Sequence, residues 1–184
     1  MAYAPRNRVF APAALATACV TTLEMRDHLR VTHLEEDMQI TAMALAAHRI
    51  VERRTQRLLT RRSVTLSLPG LPSGNCPVEL PGGEIGSITS VIVDGVAVTG
   101  STFIGDSPAL ILPADEWPAV AGDGYPVVIV YQAGFTSTPD DLKAAVKLLA
   151  AELYERRANA EGGSLNEVPL SALYLMEPWR IRPI

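Results

Sequence analysis

The hydrophobic period of this chain changes twice, and that change constrains its fold more than any other feature. Apolar residues recur at helical spacing up to Leu59, at two-residue spacing from Ser63 to Phe135, and at helical spacing again from Pro139 to about Ala160. A helix gathers residues i, i+3 and i+4 on one face, whereas a strand gathers i and i+2. The order predicts an α+β fold: a small helical bundle packed with a hairpin-rich antiparallel β region at about 63–135.

The first helical stretch divides in two. Leu23 to about Arg30 predicts a short helix, with Thr22 as N-cap and Glu24 in the first turn. A long helix follows at about 34–59. Glu35, Glu36 and Asp37 open it, and Arg53, Arg54, Arg57, Arg61 and Arg62 close it, a charge order that complements the helix dipole. Two apolar tracks run along this helix. Ile40, Met43, Ala44, Ala47, Ile50, Val51 and Leu58 form one, and Leu34, Met38, Ala42 and Leu45 form the other. Either both lie on one wide core face, or one is core and the other meets a sheet or a neighbouring subunit.

In the β region, Val64 to Leu68 alternates and Ile85 to Val93 carries a second strand. Asp94-Gly95 marks a hairpin turn into Val96 to Val98, and Tyr125 to Tyr131 reads as a nearly continuous apolar strand. Pro108, Pro113, Pro118 and Pro126 restrict the strands between them to short or edge elements. Thr138-Pro139-Asp140-Asp141 then starts a helix at about 139–160, with Thr as N-cap and Pro at the first helical position. Gly162-Gly163 ends it.

This reading gives an N-terminal extension at 1–21, one domain at 22–163 and an extended C-terminal arm at 164–184. The arm carries Val168, Leu173, Tyr174, Met176, Trp179, Arg180, Ile181 and Ile184, so it is apolar, aromatic and basic where a terminus ordinarily frays. Such a segment either folds back on its own core or docks elsewhere.

Of the 184 residues, 48% are apolar and 20% charged, which suits a folded domain rather than a disordered one. A net charge of −4 speaks against nucleic-acid binding by the whole surface, since phosphate neutralisation needs clustered cations. Arg49, Arg53, Arg54, Arg57, Arg61 and Arg62 remain as a local cluster for subunit or DNA contacts. Cys19 and Cys76 lack CxxC spacing and read as small hydrophobes or free thiols in a reducing compartment.

His28, His33 and His48 are not spaced as a helical metal pair and read as surface or helix-end residues. No nucleophile elbow or phosphate loop is present, so no catalytic, cofactor or metal residue is expected. Arg6 and Arg8 precede an alanine-rich run, but Pro12 interrupts it, and cytoplasmic synthesis is expected. No stretch approaches the ~20 apolar residues of a membrane span, so no membrane partner is expected.

Several short segments, in order, carry a family resemblance. They are His28-Leu-Arg-Val31, acidic Glu35-Glu36-Asp37, Val51-Glu-Arg-Arg-Thr-Gln-Arg-Leu-Leu59, Val78-Glu-Leu-Pro81 and Ile88-Thr-Ser-Val91. Val130-Tyr-Gln-Ala-Gly-Phe135, Pro139-Asp-Asp-Leu-Lys-Ala-Ala145, Leu153-Tyr-Glu-Arg-Arg157, Val168-Pro169 and Trp179-Arg-Ile181 follow. Together they resemble the head-tail connector proteins of tailed phages, also called adaptor or head-completion proteins and found in gene transfer agents.

The resemblance implies a non-enzymatic ring, usually of twelve copies, in the virion neck. It would sit beneath the portal protein, seat a stopper or tail-completion protein, and let genomic DNA pass without reading its sequence. It also implies that the C-terminal arm docks in the portal. The segment from Ala11 to Ala18 matches no part of the family pattern and carries no assigned role. The alternative function is a DNA-binding accessory protein in packaging that uses the Arg49 to Arg62 cluster.

Overall fold

The computed structural model describes residues 3–5, 7–105, 109–156 and 169–181. The fold is α+β, and the chain gathers into two compact units. One comprises Met1–Ala14 and Arg61–Phe135, the other Leu15–Thr60 and Thr136–Ile184. This division differs from the expected single domain at 22–163. Two of the three seams, at Thr60–Arg61 and Phe135–Thr136, fall where the hydrophobic period changes, because strand-forming and helix-forming segments each complete a core of their own kind.

Among the described residues, the first unit holds eight strands: β1 (Val9–Pro12), β2 (Arg62–Leu68), β3 (Val78–Leu80), β4 (Ile85–Val93), β5 (Val96–Ala97), β6 (Thr102–Ile104), β7 (Ala109–Leu112) and β8 (Val127–Ala133). They form a five-stranded sheet in the order β1-β2-β8-β4-β5 and a three-stranded sheet in the order β3-β7-β6. Every pair within them is antiparallel. Val9 to Pro12 therefore belongs to a sheet rather than to an extension, with Val9 opposite Ser67 and Pro12 opposite Val64.

Alternation decides which side chains are inside. Val64, Leu66 and Leu68 of β2 are buried, as are Val127, Ile129, Tyr131 and Ala133 of the adjacent β8. The Tyr131 hydroxyl donates to the Pro81 carbonyl at 2.8 Å, which satisfies its one polar atom, and burial pushes its pKa up. Asp94 (φ 49°) and Gly95 (φ 81°) make the two-residue turn from β4 to β5, as Asp-Gly predicts.

Among the described residues, the second unit holds four α-helices: α1 (Thr22–Leu29), α2 (Asp37–Thr55), α3 (Asp140–Arg156) and α4 (Leu170–Met176). The N-cap of α1 is Thr21, not Thr22. Its hydroxyl accepts from the Glu24 N–H at 3.2 Å while Glu24 Oε2 accepts from the Thr21 N–H at 2.8 Å, a complete capping box. Helix α2 is shorter than the expected 34–59, because Gln56 takes a left-handed conformation (φ 59°) that stops it.

One apolar track of α2 fills the core. Ile40, Ala44, Ala47 and Val51 are buried with Leu142, Ala145, Val146 and Leu149 of α3. The Thr138 hydroxyl donates to the Leu59 carbonyl at 2.7 Å, so the start of α3 is pinned to the chain just beyond α2. At the other end, the Tyr154 hydroxyl donates to Glu36. The two helices therefore run antiparallel.

Candidate functional site

The C-terminal segment reads from the sequence as an extended arm, and its described part is helical instead. Residues 170–176 form α4 and 177–179 a 3-10 turn. Leu170, Ala172, Leu173, Tyr174 and Met176 explain the placement. On a helix they separate into an inner face, with Ala172 and Met176 buried, and an outer face, with Leu170 and Tyr174 exposed. The inner face packs on α3 and α2.

The segment is also tied by its backbone. The Ile181 N–H donates to the Thr55 carbonyl at 2.9 Å, capping an orphan acceptor at the α2 terminus. The Arg57 Nε donates to the Trp179 carbonyl at 2.6 Å. Leu173, Trp179 and Ile181 are half-buried and Arg180 is exposed. Val168 and Ile184 lie outside the described residues, as do Gly162 and Gly163.

The arginines predicted as one cluster fall into two sets. Arg49, Arg53 and Arg54 are exposed on α2, and Arg57 is engaged by the C-terminal segment. Arg61 and Arg62 belong to the β unit. There Arg61 donates to the Gly134 carbonyl at 3.2 Å and pairs with Glu84 at 2.6 Å.

His48 corrects the sequence reading of surface histidines. It is fully buried. Its Nδ1 accepts the Cys19 N–H at 3.0 Å, and Nε2 lies 3.1 Å from Glu52 Oε1, which also accepts the Leu59 N–H at 2.8 Å. With Nδ1 accepting, Nε2 is left to face Glu52, and the network ties residues 19, 48, 52 and 59 together. The His48–Glu52 spacing of i, i+4 was the signal in the sequence. His28 and His33 are exposed.

Both cysteines are free, Cys76 exposed and Cys19 half-buried. Burial pushes the Cys19 thiol up to about 11. Glu24 is held below its ordinary value, first by the Thr21 N–H and then by the Thr21 hydroxyl, with Lys147 a smaller cause. Among the described residues no three His, Cys, Asp or Glu side chains converge as a metal site, and no helix is long and apolar enough to cross a membrane.

The arrangement offers two surfaces: an α4 face of Leu170 and Tyr174, and an α2 face ending in arginines. No protein-family model and no curated protein matches the chain. Solved structures do. The chain aligns with one from the neck of an empty gene transfer agent particle, with C6 symmetry, at a TM-score of 0.78 and 26% identity. That alignment covers 96% of this chain and 97% of the other. This is a neck-protein fold.

Similar alignments exist with a chain of the native gene transfer agent virion (TM-score 0.74) and with one of the native particle's neck with C12 symmetry (0.75). Each is 25% identical over 96% of this chain and 97% of the other. The neck fold therefore extends over 96% of this chain. The resemblance to head-tail connectors read from the sequence agrees with it.

Proposed function

We propose that this chain is a structural connector in the neck of a gene transfer agent or tailed-phage particle. Copies of it form a ring that joins the portal protein above to a stopper or tail-completion protein below, and genomic DNA passes through the ring. The full-length likeness to chains of gene transfer agent necks is the observation that carries this reading.

The C-terminal segment is the portal contact, with Leu170 and Tyr174 as its outward anchors. Met176 and Ala172 hold α4 on the helical unit, so they supply the platform rather than the contact. Trp179, Arg180 and Ile181 lie at the end of that platform. A ring repeats each weak contact around its circumference, and repetition raises the strength of attachment without stronger individual contacts.

The test adds the purified chain to portal-containing heads that lack it and reads its retention and shape by electron microscopy. The wild type is expected to join as a ring. Leu170→Asp and Tyr174→Ala are expected to stay folded and to join poorly. Wild-type joining by both variants would remove the portal assignment, and failure of the wild type to join would remove the neck role itself. DNA binding as the main activity is not favoured, because Arg57 and Arg61 are engaged within the chain.

A further inference from the structure

The second apolar track, along α2 and the turn that precedes it, is largely uncovered. Met38 is 90% exposed and Leu34 65%, while Ala42 and Ala46 stand in the open beside the half-buried Leu45. Leu23 of α1, 64% exposed, belongs to the same corner. The Thr22 and Thr41 hydroxyls share a hydrogen bond at 2.8 Å, and Arg26 meets Asp37 at 3.6 Å, so α1 is fixed beside the start of α2. Single exposed apolar residues are ordinary, but three large ones at one rigid corner are not.

The same face continues into Arg49 and Arg53. Neither makes an ion pair among the described residues. The stripe thus runs from apolar to small to basic along α2. Its occupant must bury Met38 and Leu34 and bring carboxylates to the arginines.

We propose that the next copy of this chain packs on the Leu23, Leu34, Met38 and Ala42 face in the ring. This rests on the neck-ring reading above. A closed ring of identical chains requires a heterologous interface, in which one face of each copy meets a different face of its neighbour. Ala42 and Ala46 let a neighbouring element approach closely, since helix spacing follows the side chains at the contact. A chain with 20 Asp and Glu against 16 Lys and Arg carries the surplus of carboxylates that Arg49 and Arg53 need. DNA fits less well, because phosphates gain nothing from Leu34 and Met38. The portal already has a separate contact face on α4.

The test places a benzophenone photo-crosslinking residue at position 38 of the full chain, assembled on portal-containing heads that lack the native protein. Irradiation is expected to give adducts of twice the chain's mass, with mass spectrometry locating both halves in this chain. Met38→Glu with Ala42→Glu is expected to keep wild-type circular dichroism while ring occupancy falls by about tenfold or more, because it buries charge in an apolar contact. Adducts to portal, DNA or another protein, no adducts in heads that carry the chain, or wild-type occupancy by the double variant would each overturn the interface. The neck reading would survive those results. Failure of the unmodified chain to join heads would remove both.

Discussion

Asp94 shows how much a single residue arranges in this chain. Its backbone makes the β4–β5 turn, while its carboxylate accepts the N–H groups of Ala121 at 2.8 Å and Gly122 at 3.0 Å. A Cβ on Gly122 would stand 2.4 Å from Asp94 Oδ1 and 3.0 Å from the Pro126 Cβ. Gly122→Ala is therefore expected to cost about 1–3 kcal/mol by denaturant unfolding, and an unchanged midpoint would show that the loop simply shifts. The turn was legible from Asp-Gly, but the 121–122 partner was not, since nothing local marks a contact across 27 residues.

The titrating groups carry their own expectations. The thiol of Cys19 is raised from 9.0 to about 11, so the folded state retains a proton that the unfolded state loses. That contribution to stability is present below pH 9 and declines as pH rises toward 11. Alkylation at pH 8 followed by mass spectrometry should label exposed Cys76 well before Cys19, and equal rates would show that residue 19 is accessible. For Glu24 the sign reverses: its depressed pKa adds stability above its ordinary value of 4.5, lost as pH falls through the folded value. Thr21→Ala should lessen that acid sensitivity without abolishing it, since the residue 21 N–H still reaches Glu24, and should cost about 1 kcal/mol through the lost cap.

Among the elements, the long ones were legible from their period and the short α1 and β5 from a cap and a turn, whereas β1, β3, β6, β7 and α4 were not. Helices α2 and α3 and strands β2, β4 and β8 carry enough residues for a period to show. Strands β3, β6 and β7 have 3, 3 and 4 residues, too few for alternation to stand out from chance. Helix α4 is the instructive miss. Its apolar residues stand out in the sequence, but a segment this short does not show a helical period. Seven residues make about two turns, which are marginal alone and depend on tertiary packing.

That dependence separates the two faces of α4 by experiment. Met176→Ala empties a core position and is expected to lower stability by about 2–5 kcal/mol. Tyr174→Ala removes an exposed side chain and should change stability by no more than about 0.5 kcal/mol. If thermal and denaturant unfolding gave both variants the same loss, α4 would not have an inner and an outer face.

At the scale of the whole molecule, the sequence conveyed the class and the family resemblance, while the division into two units appears only when β1 is seen to pair with β2. Charge is the remaining whole-molecule property with a measurable consequence. The chain carries −4, and its arginines are dispersed between the two units rather than gathered into one stripe. A conduit for DNA is served by such a balance, because a duplex must slide past without being held. Non-specific binding by proteins that neutralise several phosphates reaches Kd values of ~10⁻⁴–10⁻⁶ M at physiological salt and weakens steeply as salt rises. The free chain is expected to fall at or beyond the weak end of that range, read by fluorescence anisotropy on duplex DNA across a salt series. Tight binding with a steep salt slope, lost in an Arg49→Glu, Arg53→Glu, Arg54→Glu variant, would instead favour the DNA-binding accessory role. A ring interface at α2 makes the opposite demand on that variant: it should leave DNA binding unchanged and reduce ring occupancy on heads.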